Sequence, residues 1–301
     1  MNGPVVVGVD GSDEAIAAVA WAADEAATRR VPLRVVTATL RPLVRMPAGH
    51  YPIQYQQPLL TETVRLLDRA ELAARSRQPS LPVSGEAVPT TPTDLLVSES
   101  RHAELVVTGA RGAGGFAGLL VGSVTAVLVN FAHCPVAVVR RPVGGGAAGG
   151  SAGPTGGVAD GPVVVGVDGG RTGAPALDFA FAAADRAGTA LVALHTWSDV
   201  PVSAPRTAPG WAVDWEQVRA DEERLLAESL AGYQQEHPDV TVERVVAHDR
   251  PVRALLARAA QARLLVVGTH GRGGFPGMLL GSTSHALLHH CPCPLVVVRG
   301  R

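Results

Sequence analysis

Two glycine-rich segments share the spacing G-x2-G-x9-G-S, and residues of these types at this spacing can bind phosphate. The members are Gly109, Gly112, Gly122 and Ser123 in the first copy, and Gly268, Gly271, Gly281 and Ser282 in the second. Glycine lets a backbone turn tightly and approach a ligand, so the N–H groups of such a loop can line an anion site. The final Gly-Ser pair begins a predicted helix, where free N–H groups, the helix dipole and a serine hydroxyl favour phosphate. Each copy is therefore predicted to hold the phosphates of ATP.

Charged side chains accompany each glycine segment. An aspartate and a glycine end the first predicted strand of each copy, as Asp10-Gly11 and Asp168-Gly169. Such an aspartate can accept a hydrogen bond from a ribose hydroxyl or hold a metal ion on the phosphates. The basic residues inside the loops, which can neutralise phosphate charge, are Arg111, His270 and Arg272. The alternative is that the glycines only shape a loop and the serine only caps a helix, and the repetition of the whole pattern argues against it.

The two copies belong to a repeat that spans the chain of 301 residues. The sequence PVVVGVDG occurs at 4–11 and again at 162–169, and the Val-rich segments that precede the glycine loops and end each half also match. The Gly- and Ala-rich segment between the halves cannot form a core and is typical of a flexible linker. We therefore predict nucleotide-binding domains at 1–141 and 162–301, joined by a linker at 142–161.

The elements that position these residues follow from the order of apolar runs. In each half, five Val- and Leu-rich runs alternate with four amphipathic or Ala-rich segments, which is typical of strands and helices joined by right-handed crossovers. Nearly continuous apolar strands indicate a parallel sheet that is covered on both faces. The predicted fold is α/β, with two doubly wound parallel sheets. Ligands of such sheets bind beyond the carboxyl ends of the strands, where the glycine loops lie.

Composition excludes several classes of function. The net charge is -1 and no basic run with interleaved aromatic residues occurs, so we expect no nucleic-acid partner. All 26 basic residues are arginine, which excludes a Walker A loop, a Schiff-base enzyme and a lysine general base. Cys134, Cys291 and Cys293 are odd in number and lie beside apolar strands, so buried thiols are expected rather than disulfides or a zinc site.

The apolar runs and the first residues of the chain bear on its location. No apolar stretch reaches the ~18–20 residues that a transmembrane helix needs, and the first residues enter a strand without a basic leader. We therefore expect a cytoplasmic protein without a membrane partner.

The sequence resembles the universal stress protein family in its tandem two-domain form. The resemblance rests on VGVDGS at 7–12, on both glycine patterns and on the closing Cys-Pro strands, and it spans nearly all of both halves. It implies five-stranded Rossmann-like (HUP-type) sheets of order 3-2-1-4-5, and ATP as cofactor, with Mg²⁺ on its phosphates. It also implies that the last strands pair the two domains about a pseudo-twofold axis, and it allows a homodimer.

The resemblance assigns roles to individual residues. Asp10 and Asp168 would lie near the ribose and adenine, the two glycine patterns would hold the phosphates, and backbone groups of Ala38 and Thr196 would contact the adenine. The departures from the family pattern are Gly170 in place of Ser, the segment 89–92 before a predicted helix, and Ala113 where the second half has Arg272. These departures leave both sites intact and allow them to differ in affinity.

Three classes of function are compatible with these residues. The first is an ATP-binding stress or signalling regulator, because the phosphate loops are complete while no catalytic residue is recognised. The second is a slow ATPase or an adenylate-transferring enzyme, although no general base for an attacking water stands out. The third is a scaffold or a sensor of another adenine nucleotide. His133, His289 and His290 flank the last strands and are interpreted as packing residues.

Overall fold

The structure is a computed structural model in which the chain divides into two compact units, Met1–Gly156 (unit 1) and Gly157–Arg301 (unit 2). It describes residues 3–39, 53–113, 121–141, 157–197, 214–271 and 280–300, and for 53–60 and for Arg171 only the backbone. The predicted loop residue Arg272 lies outside these ranges.

Unit 1 consists of parallel strands with helices between them. Its strands are β1 (Val5–Gly8), β2 (Leu33–Ala38), β3 (Val83–Val88), β4 (Leu105–Gly109) and β5 (Val136–Val139). Its helices are α1 (Asp13–Arg29), α2 (Ile53–Arg77), α3 (Pro92–Glu99) and α4 (Ser123–Phe131). Parallel pairs join β1 to β2 and β4, β2 to β3, and β4 to β5. The order across unit 1 is therefore β3-β2-β1-β4-β5.

Unit 2 repeats this arrangement. Its strands are β6 (Val163–Val167), β7 (Leu191–Trp197), β8 (Val242–His248), β9 (Leu264–Gly268) and β10 (Leu295–Val298). Its helices are α5 (Ala174–Ala187), α6 (Trp215–Glu236), α7 (Pro251–Ala259) and α8 (Ser282–His290), and a 3₁₀ turn at Arg171–Gly173 precedes α5. Parallel pairs join β6 to β7 and β9, β7 to β8, and β9 to β10. Val158 N–H donates to Ala262 O at 3.2 Å, so part of the predicted linker packs on unit 2.

The strands form the core because their side chains are apolar on both faces. Val5, Val6 and Val7 of β1 are fully buried, and β4, β5, β9 and β10 are buried along nearly their whole length. Helix α1 lies close to the strands because its buried face is mostly alanine. The Ser12 side chain accepts a hydrogen bond from Ala15 N–H at 3.1 Å and so fixes the start of α1 directly after the β1 loop.

The predicted α/β class is confirmed: within the described ranges, ten strands, parallel inside each unit, alternate with eight helices. The segment at 89–92 begins α3, because Thr91 Oγ1 accepts from Asp94 N–H at 3.1 Å and Pro92 occupies the first turn, where no N–H is needed. The amphipathic pattern of the sequence predicts this second helix over 59–77, whereas α2 begins at Ile53. No helix in the described part of the chain is both long and apolar enough to cross a membrane.

Candidate functional site

The predicted site residues lie at the carboxyl ends of the two central strands of each unit. In unit 1, β1 leads into Asp10 and β4 leads into the loop that begins at Gly109. Strands β1 and β4 are neighbours, and the chain goes from β1 to β2 on one side and from β4 to β5 on the other. The two connections therefore lead in opposite directions. The same relation holds for β6 in unit 2. This switch point is where doubly wound sheets bind ligands.

A cavity of about 510 Å³ occupies this position in unit 2. Its lining includes the predicted residues Asp168, Thr196, Gly268, His270, Gly271, Gly281 and Ser282. Gly169 is outside the lining, but its φ of +70° makes the turn that directs the chain away after Asp168. The volume falls within the ~300–1,000 Å³ of small-molecule sites, so the cavity has the size that a nucleotide needs.

The first turn of α8 is held against the glycine loop by backbone and side-chain hydrogen bonds. Gly281 N–H donates to Thr269 O at 2.7 Å, and Ser284 Oγ donates to Gly268 O at 2.7 Å. Gly281 is the N-cap of α8 and offers no side-chain oxygen to the first-turn N–H groups. The cavity therefore meets a helix N-terminus whose donors can bind an anion.

Unit 1 builds the same loop with a threonine in place of Ser284. Gly122 N–H donates to Ala110 O at 2.8 Å, and Thr125 Oγ1 donates to Gly109 O at 3.0 Å. Gly122 caps α4, again without a side-chain hydrogen bond. Ser123 begins α4, as Ser282 begins α8. The starts of α4 and α8 are thus held to the preceding strands by the same hydrogen bonds.

Asp168 presents a buried carboxylate oxygen to the unit 2 cavity. Its Oδ1 accepts from Gly170 N–H at 3.0 Å, while Oδ2 is buried and has no hydrogen-bond partner among the described residues. A Cβ at Gly170 would lie 3.0 Å from this Oδ2, which explains why glycine replaces the usual serine here. An unpaired buried carboxylate oxygen is unfavourable by about 1–3 kcal/mol or more. A ribose hydroxyl or a cation would therefore fit this position.

In unit 1, backbone N–H groups donate to both oxygens of the corresponding aspartate, which is exposed. Asp10 Oδ1 accepts from Ser12 N–H at 3.0 Å and Oδ2 accepts from Ala113 N–H at 2.7 Å. Gly11 makes the turn after Asp10 with a φ of +89°. The Arg111 side chain, expected to face phosphate, forms an ion pair with Glu14 at 2.6 Å. Arg111 is therefore already neutralised by a residue of unit 1.

The ends of β2 and β7, predicted to contact adenine, lie beside β3 and β8. Ala38 pairs with Val88 in register, and Thr196 pairs with Ala247. Both residues are partly exposed, and Thr196 lines the cavity of unit 2. Their backbone groups thus lie at the carboxyl ends of these strands, where the adenine is predicted to bind.

The residues lining the unit 2 cavity that sequence reasoning missed include His195, Glu222 and Trp197. His195 is 4% exposed, with Nδ1 at 2.7 Å from Val167 O and Nε2 at 2.7 Å from Glu222 Oε2. A carbonyl oxygen can only accept, so Nδ1 carries a proton and ties β7 to the residue before Asp168. A polar and an aromatic residue on either side of Thr196, in an otherwise apolar strand, were the available signal.

Trp197 extends this wall towards solvent. Its ring stacks on His248 with centroids 4.2 Å apart and on Trp215 with centroids 5.8 Å apart. Trp215 is 49% exposed at the start of α6. The cavity therefore has an aromatic edge beside the predicted adenine position, suited to stacking against a flat ring.

The described residues contain no cluster of three or more His, Cys, Asp or Glu side chains that could hold a metal ion by themselves. The three cysteines are free thiols, but the expected burial is found only for Cys291 and Cys293, whose Sγ atoms lie 3.7 Å apart, while Cys134 is half-buried. A cation at this site would therefore take part of its ligands from a bound phosphate chain.

Known proteins match this arrangement over the full chain. A sequence profile of the Universal stress protein family matches residues 1–140 and 161–299. A universal stress protein of Mycobacterium tuberculosis is 42% identical over 305 residues, covering 98% of this chain and 96% of the relative. A second one from that organism is 37% identical over 302 residues, with coverages of 98% and 96%.

A solved structure supports the fold. The crystal structure of a universal stress protein from Archaeoglobus fulgidus matches with a TM-score of 0.64 and 18% identity, over 99% of this chain and 96% of that one. At this identity the similarity concerns the fold alone.

Proposed function

Because the chain belongs to the universal stress protein family, we propose that it is an ATP-binding regulator that signals through nucleotide occupancy and has no strong catalytic activity. The observation that carries this proposal is the buried, unpartnered Asp168 Oδ2 inside a glycine-lined cavity that ends at a helix N-terminus. One end of the cavity offers an acceptor for a sugar hydroxyl, and the other offers donors for phosphate. A nucleotide satisfies both ends.

Each predicted residue of unit 2 has a place in this proposal. Asp168 accepts from the ribose, and Thr196 contacts the adenine through its backbone beside the Trp197 ring. Backbone N–H groups at the loop and at the start of α8, with the Ser282 hydroxyl, bind the phosphates, and His270 adds a donor or positive charge. These phosphate-binding positions are Gly268, Gly271, Gly281 and Ser282. Mg²⁺ would accompany the phosphates and neutralise part of their charge.

The corresponding residues of unit 1 form the second proposed site. Asp10 and Ala38 correspond to Asp168 and Thr196, and Arg111 corresponds to His270. The phosphate-binding positions are Gly109, Gly112, Gly122 and Ser123.

The test of this function is ATP binding by isothermal titration calorimetry, using one glycine variant for each site. Gly281→Glu places a carboxylate at the N-cap of α8, and Gly122→Glu does so at α4. Like charges and bulk at the phosphate position should reduce affinity of the affected site at least a hundredfold. Each variant is expected to lose binding in its own unit only.

Gly232→Glu is the matched control. Gly232 is exposed in α6, and a Cβ there would contact nothing within 4 Å, so the same change in charge should leave ATP binding unaltered. Absence of saturable ATP binding to the wild type would contradict the proposed function. Unchanged binding in both Gly281→Glu and Gly122→Glu would contradict the site.

Four of our expectations stay predictions. They are the domain limits at 1–141 and 162–301, the pairing of the two domains through their last strands, a homodimer of the chain, and a cytoplasmic location.

A further inference from the structure

We propose that the two nucleotide sites are unequal, because the carboxylates of Asp10 and Glu14 accept hydrogen bonds from phosphate-loop N–H groups in unit 1, whereas the described residues of unit 2 make neither contact. Unit 2 is then the high-affinity site, and unit 1 binds only when nucleotide displaces these carboxylates. The inference rests on the proposed function, since it concerns how strongly each site binds ATP.

Glu14 occupies donors that a phosphate would otherwise use. Its Oε2 accepts from the backbone N–H of Arg111 at 2.7 Å, and its Oε1 accepts from the Arg111 side chain at 2.8 and 2.6 Å. The Glu14 side chain is 13% exposed and the Arg111 side chain is 49% exposed, so water reaches this pair from the arginine side. A carboxylate at a glycine loop makes the same kind of hydrogen bonds as a phosphate oxygen. Glu14 therefore acts as an internal anion at this loop.

Gly109 allows Glu14 to come this close. A Cβ at Gly109 would lie 3.1 Å from the Glu14 carbonyl carbon and 3.2 Å from its Cβ. At the corresponding Gly268, the nearest atom of the equivalent helix start, Thr172 O, is 3.9 Å away. The start of α1 is thus packed more tightly on its loop than the corresponding turn of unit 2.

Asp10 closes the loop from the other side. Its Oδ2 accepts from Ala113 N–H at 2.7 Å, whereas Asp168 Oδ2 has no partner among the described residues. A Cβ at Gly112 would overlap Asp10 Oδ2, while a Cβ at Gly271 would remain 3.6 Å from Asp168 Oδ2. Gly112 therefore lies closer to the carboxylate of Asp10 than Gly271 does to that of Asp168.

The sequence of unit 2 lacks the group that would close it. Matching Asp10 to Asp168 along the chain places Thr172 where unit 1 has Glu14, and matching the glycine patterns places His270 where it has Arg111. Threonine carries no charge and is too short to chelate the loop as Glu14 does. The difference between the units is thus set by side chains outside the glycine pattern.

The consequence for affinity follows from the interactions that ATP must replace in unit 1. ATP has to break hydrogen bonds that carboxylates accept from Arg111 and Ala113, and its phosphates then lie beside the displaced Glu14 charge. A hydrogen bond to a charged group is strong enough that losing one weakens binding about tenfold or more. The wild type should therefore show two dissociation constants for ATP that differ at least tenfold, with the tighter one in unit 2.

The decisive experiment measures unit 1 alone. In a Gly281→Glu background, which removes the unit 2 site, Glu14→Thr gives unit 1 the residue of unit 2. ATP affinity, measured by calorimetry, should then rise about tenfold, a gain that misfolding cannot produce. Glu25→Thr is the control, because Glu25 lies on the same helix and pairs with Arg29 at 2.7 Å, away from the loop. It should leave the affinity of unit 1 unchanged.

The reciprocal variant provides a second readout. In a Gly122→Glu background, Thr172→Glu should weaken ATP binding to unit 2 about tenfold. Equal dissociation constants in the wild type, or an affinity of unit 1 that Glu14→Thr does not raise, would overturn the inference while leaving the proposed function in place. A wild type that binds no ATP would overturn both the inference and the proposed function. The two failures are therefore distinguished by whether the wild type binds ATP at all.

Discussion

At the scale of single residues, Asp10 and Asp168 occupy corresponding positions but differ in the hydrogen bonds that their carboxylates accept. Both follow the first strand of a unit, and both accept from a backbone N–H two residues later. Only Asp168 keeps its second oxygen buried and unpaired among the described residues. Such an oxygen lowers the stability of the free protein and becomes favourable when a ligand donates to it.

Replacing Asp168 should therefore separate stability from binding. Asp168→Asn keeps the acceptor for Gly170 and removes the buried charge, so we expect the free energy of unfolding to stay equal or rise by up to about 1 kcal/mol. ATP affinity of unit 2 should fall about tenfold or more. Urea unfolding followed by circular dichroism, together with calorimetry, measures the two effects.

Asp10→Asn is the matched comparison. The amide would turn an N–H group towards Ala113 N–H or Ser12 N–H, so unfolding free energy should decrease by about 0.5–1.5 kcal/mol. A loss of stability in Asp168→Asn as large as that in Asp10→Asn would contradict the interpretation of Asp168 Oδ2.

The sequence was sufficient to place these aspartates but not to show their partners. A carboxylate after a Val-rich strand and before a glycine predicts its position at the sheet edge. Whether its second oxygen is satisfied depends on how far a loop a hundred residues later approaches, which no local pattern records. Glu14 and His195 were missed for the same reason, since each acts through contacts with a distant segment.

At the scale of elements, the strands were predicted well because their signal is long and uniform. Val- and Leu-rich runs bounded by glycine can hardly form anything but buried strands. The start of α2 was predicted too late. Pro92 begins α3 one residue after its cap, whereas Pro58 lies inside α2, which begins earlier at Ile53.

The cysteines lie directly before strands β5 and β10, and this position lowers the reactivity of their thiols. Burial is the main factor that raises the pKa of Cys134 from 9.0 to about 12. A hydrogen bond with Cys291 and burial raise the pKa of Cys293 well above its usual value. Cys291 is 2% exposed. We expect that no thiol of the native protein reacts rapidly with a disulfide reagent such as DTNB at pH 8. In the urea-unfolded protein, all three thiols should react.

The pKa of Cys134 also predicts a pH dependence. The unfolded thiol ionises near pH 9 while the folded one stays protonated, so the contribution of this thiol to stability is complete below pH 9. It is lost as the pH rises towards 12. Rapid reaction of the native thiols with DTNB at pH 8 would contradict both the expected lack of reactivity and this pH dependence of stability.

At the scale of the whole molecule, the chain consists of two compact units with the same order of elements. The repeat in the sequence predicts this organisation, because both halves carry the signals for strands and helices in the same order. The carboxyl limit of the linker was harder to place. Gly157 and Gly161 carry no side chains, yet their backbones pack against 261–263 of unit 2.

The proposed domain limits predict where a protease can separate the units. The segment 142–156 is rich in Gly and Ala and contains no Lys or Arg, so elastase should cleave there and trypsin should not. Brief digestion with elastase should give two fragments of nearly equal mass, identified by mass spectrometry. Fragments cut first inside a strand or helix would contradict the domain limits.

The closed loop of unit 1 has a consequence for how duplicated domains diverge. Both copies retain the same glycine spacing, and a comparison of motifs would count two sites of one kind. Arg111 and Glu14 are 97 residues apart in the chain, so the residue that fills the loop lies in another part of the domain. Under our proposal, a substitution at position 14 or 172 after a duplication is enough to make one copy respond at a different nucleotide concentration. The shared motif would then record common ancestry, while the residues around it would set the nucleotide concentration that each copy senses.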